Sequence, residues 1–262
     1  MDEKTLRSKL KTIEINDFRY FPETDSTNTR ALEWIFDGAP EYGLVIAGSQ
    51  TAGRGRAGRK WITTQDASIA MSLILHPTKE EQQHYGLFPL LGGLAVVHTM
   101  HSTLNIQNSQ VKWPNDVLID RKKIAGVLLE TSWQGEQPLG LVIGIGVNVF
   151  PASILPPDIA QYPTTYISQH TTMRVDLYQI VIDILSQIQR LRKFLLSPRF
   201  LQSYISSMAF LGQHVVLENT KQFQTTLRGV LHGVDEYGQL LLKGADDVLS
   251  AYPTGDLSLR LA

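Results

Sequence analysis

Between Gly53 and Trp61 the sequence reads GRGRAGRKW, in which Arg54, Arg56 and Arg59 alternate with Gly53, Gly55 and Gly58 and are followed by Lys60. Glycine lets backbone N–H groups approach a ligand closely, and guanidinium forks match the oxygens of phosphate. The spacing suits one compact polyanion. It is not a Walker A loop, because the Gly-Lys-Ser/Thr ending is missing. A solvated basic loop with no ligand has the same composition.

Four further stretches could carry chemistry. KWPND (112–116) sets Lys112, Trp113, Asn115 and Asp116 around a proline that removes a ladder donor. Asp116 suits Mg²⁺, which takes one or two carboxylates plus phosphate and water. The same residues also read as an Asx-turn. Lys123 opens KIAGVLLE and is followed by Ala125 and Gly126, small enough to open a pocket for its ammonium. An exposed turn lysine is the alternative. In GIGVN (144–148), Gly144 and Gly146 line a flat ligand beside Asn148 or mark tight packing. DSTN (25–28) caps a helix with Ser26 or Thr27, and helix N-termini attract anions. His98 and His101 share a helix face but have no third ligand nearby in sequence.

Composition limits the partners. With 24 Lys+Arg against 25 Asp+Glu in 262 residues, the net charge is −1, so the basic loop is a local feature. A nucleic-acid-binding domain carries a wider basic face. The absence of cysteine excludes disulfides, thiolate nucleophiles and Cys-ligated metals. No run of about 18 apolar residues appears, and the polar N-terminus lacks a signal peptide's apolar centre. A cytoplasmic protein that binds no DNA and no membrane is expected.

The elements that must position these residues are legible in outline. FRYFPETDSTN reads as a strand entering a helix over TRALEWIF. GLVIAGSQ (43–50) and SIAMSLIL (68–75) read as strands, the second alternating, and 87–104 as a helix whose glycine pair allows close packing on a sheet. VKWPNDVLID and KIAGVLLETS form a hairpin across Asp120–Lys122, followed by a glycine-bearing strand over 138–149. A Pro-rich loop spans 151–163. Apolar positions from Leu177 to Leu191 share one helix face. After Ser206, HVVLEN, FQTTLRGVLHGVD, QLLLK and SAYPTGDLSLRL are short strands of a small β-barrel. Two domains are expected, 1–207 and 208–262.

Taken in order, DSTN, GRGRAGRKW, KWPNDVLIDRKKIAGVLLE and GIGVN resemble the biotin–protein ligases, the biotin–[acetyl-CoA-carboxylase] ligases, and GVDEYGQLLL with GDLSL extends the likeness to that family's C-terminal domain. The resemblance covers about residues 20–260. It implies an α+β fold: a mixed sheet with packed helices, like the class II aminoacyl-tRNA synthetases, and a small C-terminal SH3-like β-barrel. It also implies ATP and biotin as substrates, Mg²⁺, biotinyl-5′-AMP as intermediate, and a biotin carboxyl carrier protein as acceptor.

By motif, the resemblance assigns Ser26, Thr27, Gln50, Gly53, Arg54, Lys123, Gly126 and Gly146 to biotin. Arg56, Arg59, Lys60, Trp61, Lys112, Asn115, Asp116 and Asn148 go to ATP. Lys123, Arg56 and Asp116 are the catalytic residues, and Asp116 is the Mg²⁺ ligand. Only about 24 residues precede DSTN, so a monofunctional ligase without operator binding is expected. Ala57 departs from relatives that carry another basic residue there. An exposed sheet edge could support a homodimer. The rival readings are a lipoate–protein ligase or octanoyltransferase, and a non-catalytic nucleotide-binding protein.

Overall fold

The computed structural model describes residues 1–154, 162–219, 226–254 and 257–262. Parts of three expected elements lie outside these: 155–161 of the Pro-rich loop, 223–225 at the start of the FQTTLRGVLHGVD strand, and 255–256 of the last strand.

Seven strands form the main sheet: β1 (Asp17–Thr24), β2 (Gly43–Gln50), β3 (Ser68–Leu75), β4 (Ser109–Lys112), β5 (Asp116–Ile119), β6 (Lys122–Gln134) and β7 (Gln137–Asn148). Their order is β1-β2-β3-β7-β6-β5-β4, with β1 and β2 parallel and every other pair antiparallel. Helix α2 (Thr27–Phe36) makes the crossover between the parallel pair. The stretch VKWPNDVLID is therefore not one strand. It turns at the cis Trp113–Pro114 bond into a second antiparallel partner, β4 against β5. The Asp120–Arg121 turn that follows has positive φ at both residues and joins β5 to β6.

Strand β3 is buried along its whole length, which corrects the expected alternation. Leu73, Leu75 and Ile143 face the main core with α3 (Leu87–Leu104) and α4 (Leu177–Arg192), while Val45, Ile74 and Val142 face Trp34 and Ile35 of α2. A strand covered on both sides needs apolar residues on both. Helix α3 has the length and mean hydropathy (1.3) of a membrane span, yet it is mostly buried as the core helix. Its Gly92 allows the expected close approach, since a Cβ there would stand 2.9 Å from Val127.

Two helices escape the sequence reading. The lead-in forms α1 (Glu3–Leu10), capped by Asp2 and anchored by buried Leu6 and Leu10. Pro198 opens α5 (Pro198–Ser206), which buries Phe200 and Tyr204.

The C-terminal strands β8 (His214–Asn219), β9 (Thr226–Val234), β10 (Leu240–Lys243), β11 (Leu249–Tyr252) and β12 (Leu257–Leu261) form a second, antiparallel sheet in the order β11-β10-β9-β8-β12. SAYPTGDLSLRL thus supplies two strands. This SH3-like part meets the main sheet where Trp113 donates its indole N–H to the Gly238 carbonyl at 3.0 Å. The whole is a mixed α+β fold with two sheets.

Candidate active site

Helix α2 covers only part of its face of the sheet. The uncovered part is a row running strand to strand through Ala47, Ala70, Gly146, Gly126, Asp116 and Lys112. Paired residues on adjacent strands point the same way. Four small residues therefore give way to a carboxylate and an ammonium along one line. Small side chains leave a trough where α2 ends, and the charges close one end of it. The resulting cavity has a volume of about 540 Å³.

The basic segment roofs the trough as a short hairpin. Arg54 bridges Lys60, Trp61 N–H donates to Gly53 O (2.9 Å), and Gly55 N–H donates to Arg59 O (2.7 Å). The tip turns through left-handed Ala57 (φ 55) and Gly58 (φ 73). At the base a Cβ on Gly53 would lie 2.3 Å from Trp61 O, so only glycine lets the hairpin close. Arg54 leans back to Thr29 (2.7 Å) and makes an ion pair with Glu130 (2.8 Å). Arg56 donates to Asn115 Oδ1 at 3.2 Å. The Trp61 indole lies against Gly126 and Gly146, with its Nε1 buried and lacking a hydrogen-bond partner among the described residues.

The cationic end is tightly coupled. Lys123 Nζ stands 2.5 Å from Asp116 Oδ1 and 5.4 Å from the Trp61 ring centre. Lys123 is held from behind, its N–H donating to Pro163 O (2.7 Å) and its carbonyl accepting from Thr165 N–H (2.9 Å). Burial pushes the Asp116 carboxyl up, but Lys123 and Lys112 outweigh it and hold the group below the usual carboxylate range. Burial also depresses the Lys112 ammonium, against the opposing pull of Asp116, and Lys112 sits 4.3 Å from the Tyr162 ring centre.

The opposite end is polar and carries no net charge, Arg54 being neutralised there by Glu130. Ser26 is the N-cap residue of α2 but makes no side-chain cap bond; its N–H is taken by Asp25. Thr27 N–H donates to Gln50 Oε1 (2.8 Å), and Gln50 Nε2 donates to Thr63 (2.9 Å). Asn148 donates to Thr165 O (3.2 Å) at the rim.

Of the residues expected from the sequence, Ser26, Thr27, Gln50, Arg54, Arg56, Arg59, Lys60, Trp61, Asn115, Asp116, Lys123, Gly126, Gly146 and Asn148 all line this cavity. Gly53 and Lys112 do not. Gly53 shapes the hairpin base, and Lys112 stands behind Asp116 in the same row. Asn28, Ser72 and Glu130 escaped the reading although their signals were present. Asn28 ends DSTN, Ser72 is a polar residue in the middle of an apolar strand, and Glu130 ends KIAGVLLE. Among the described residues no three His, Cys, Asp or Glu side chains gather as a metal cluster, and His98 pairs instead with Arg190 and Ser203.

Comparison with known proteins gives this geometry its context. Residues 20–148 match the model of the biotin/lipoate A/B protein ligase family. The chain is 31% identical over 265 residues to the bifunctional ligase/repressor BirA of Bacillus subtilis, covering 99% of this chain and 79% of that protein. It is 28% identical to the biotin–[acetyl-CoA-carboxylase] ligase of Paracoccus denitrificans over 84% of this chain and 92% of that one. The biotin protein ligase of Aquifex aeolicus in complex with biotin and ATP superposes with a TM-score of 0.80 at 29% identity, over 95% of this chain and 100% of that one. The chain therefore belongs to the biotin/lipoate A/B protein ligase family, among its biotin–protein ligases, and is a ligase.

Proposed function

We propose that this protein activates biotin with ATP to biotinyl-5′-AMP and transfers the biotinyl group to one lysine of a biotin carboxyl carrier protein of acetyl-CoA carboxylase. One observation carries the reading. A single cavity joins an uncharged hydrogen-bonding end (Thr27, Gln50) to a cationic end (Lys123) under an arginine hairpin. Biotin has a cyclic urea at one end and a carboxylate at the other, and ATP supplies the phosphates.

In the first step the biotin carboxylate attacks the α-phosphorus and pyrophosphate leaves. Both reactants are anions, so charge neutralisation and alignment dominate the barrier. Lys123 bridges the carboxylate and the α-phosphate. Arg56, Arg59 and Lys60 hold phosphate oxygens, and Trp61, Asn115 and Asn148 flank the nucleotide. Ser26, Thr27, Gln50 and Arg54 bind the biotin head, and Gly126 and Gly146 line its slot once the Trp61 indole that lies against them moves aside. Gly53 and Lys112 contribute indirectly, by closing the hairpin and by holding Asp116 ionised. In the second step the acceptor amine attacks the carbonyl of the mixed anhydride and AMP leaves. Asp116 orients that amine.

Asp116 is the only acidic residue lining the cavity among those described. One carboxylate fits a Mg²⁺ whose other ligands are phosphate and water, since that ion is seldom caged by protein alone. Asp116 would hold it, and its charge would offset that of the leaving pyrophosphate. The near-neutral net charge supports a ligase that does not bind DNA, acting in the cytoplasm where ATP is available. A separate unit of 208–262 carrying the second sheet fits this scheme.

Incubating the protein with biotin, Mg²⁺-ATP and a carrier domain should add one biotinyl group to a single carrier lysine, read by intact mass. Gain with lipoate or octanoate instead sends the reading to the rival ligases, and no gain with any of them to a non-catalytic nucleotide-binding protein. Arg56→Gly should release the adenylate prematurely, so bystander proteins become biotinylated while the carrier is still labelled. Labelling that stays confined to the carrier contradicts retention by Arg56.

A further inference from the structure

We infer that Glu130, Asn28 and Ser72 form a positioning chain that fixes the Thr27 hydroxyl as a hydrogen-bond acceptor, and so selects a ligand head that presents an N–H donor. This deepens the function proposed above and rests on it.

The chain can be read from its charged end. Both Glu130 oxygens face Arg54 Nη2, at 3.0 and 2.8 Å. A carboxylate only accepts, so the Asn28 atom 2.7 Å from Glu130 Oε2 is the donor Nδ2. That sets the amide the other way at its far side, where Asn28 Oδ1 lies 2.6 Å from Ser72 Oγ. Ser72 has one proton and must give it to Oδ1. It therefore meets the Thr27 hydroxyl, 2.8 Å away, only as an acceptor. The Thr27 proton goes to Ser72 or to Gln50 Oε1 at 3.2 Å. Either way it points into the protein, and a lone pair is left for the cavity.

Two features make this polarity stiff. Thr27, Asn28 and Ser72 are all buried, so water cannot readily exchange into the chain. Strand β7 is also notched for the amide. A Cβ on Gly144, which is opposite Ser72 in register, would lie 2.1 Å from Asn28 Oδ1. None of the three residues need touch the reacting atoms; they act through Thr27 and Arg54.

The chemistry of the ligand follows. A cyclic urea offers an N–H donor to the Thr27 lone pair. A hydrocarbon or cyclic disulfide head offers none and leaves the Thr27 lone pair buried and unpaired. A site built to hydrogen-bond a substrate group rejects analogues lacking it far better than a merely apolar pocket does.

The test compares biotin with its two cyclic carbamate analogues, in each of which a ring oxygen replaces one ureido N–H. Biotin-dependent pyrophosphate release is recorded, with kcat and KM for each substrate. The unmutated protein should prefer biotin over one of the two carbamates by about 10- to 100-fold in kcat/KM. In Ser72→Ala the Thr27 hydroxyl loses its shorter partner and keeps only the 3.2 Å contact with Gln50, so it can turn and donate to the ring oxygen. The preference should then fall about tenfold, mainly through a higher KM for biotin, with kcat nearly unchanged. Glu130→Gln should shift it the same way, because a glutamine amide lets Asn28 turn over; should that variant not fold, Ser72→Ala carries the test alone.

A merely structural role for the chain predicts equal losses on all three substrates, and an unchanged preference in Ser72→Ala overturns the inference. So does an unmutated protein that uses biotin and both carbamates equally well, although biotin ligation then stands. If biotin supports no pyrophosphate release at all, the underlying function fails, and the inference with it.

Discussion

Lys123→Met is expected to slow adenylate formation by about 10³-fold while weakening biotin binding only severalfold. The ammonium sits where the cavity changes from uncharged to ionic, 2.5 Å from Asp116 and against Gly126. Two anions about 4 Å apart repel by about 4 kcal/mol at an effective dielectric of 20. Removing the cation between them restores that repulsion in the transition state, and about 4 kcal/mol corresponds to about 10³ in rate. The head-group contacts at Thr27 and Gln50 lie at the other end and survive the change. Pyrophosphate exchange gives the rate and calorimetry the affinity. A loss below tenfold in kcat, or a loss carried entirely by KM, contradicts the electrostatic role.

The second large effect is expected from Asp116→Asn, and it separates stability from chemistry. Lys123 and Lys112 flank the carboxylate, and Lys112 is only 6% exposed. Neutralising Asp116 leaves two ammonium groups facing each other with no counter-charge. Unpairing a buried ion costs about 3 kcal/mol at the lower end, so the variant should melt several degrees lower at neutral pH. Because the folded-state pKa of Asp116 lies below its ordinary value of 3.8, its contribution is complete above that pH and is lost as pH falls through the folded pKa. The gap between the two melting curves should therefore close in acid. A gap that stays constant to low pH contradicts the ion-pair account.

In catalysis the same substitution should cost about 100-fold, with the transfer step hit harder than adenylation. It also moves Lys112, whose ammonium is depressed by burial and supported by Asp116. Without that support its pKa drops further, and the alkaline limb of the pH–rate profile should shift to lower pH. A limb that does not move rules out electrostatic coupling of Lys112 to the site.

Much of this site is visible in sequence because its chemistry is local. Arginine alternating with glycine, a lysine followed by Ala-Gly, and glycines in a strand each carry their physical meaning within a few residues. What sequence cannot show is the register that puts Gly146, Gly126, Asp116 and Lys112 in one row, since it depends on where three successive hairpins turn and on an irregularity in the β5–β6 pairing. Asn28, Ser72 and Glu130 are 44 and 102 residues apart by the bonds that join them. Only the fold makes them a chain. The fold's outline is legible where periodicity is strong, as in α4, or where an apolar run has helical length, as in α3, and is lost where few apolar residues suffice. Helix α1 needs only Leu6 and Leu10 to dock, too few to stand out among eight polar-rich positions. VKWPNDVLID looked continuous because only the three-residue Trp113–Asn115 turn divides β4 from β5.

The proposed function turns on one cavity joining a cyclic urea carboxylate to the α-phosphate of ATP. It is tested most directly by following pyrophosphate release from Mg²⁺-ATP with biotin, lipoate or octanoate as the only added acid. Release should require biotin and should not be supported by the other two. Release driven by lipoate or octanoate and not by biotin, or none with any of the three, would contradict it.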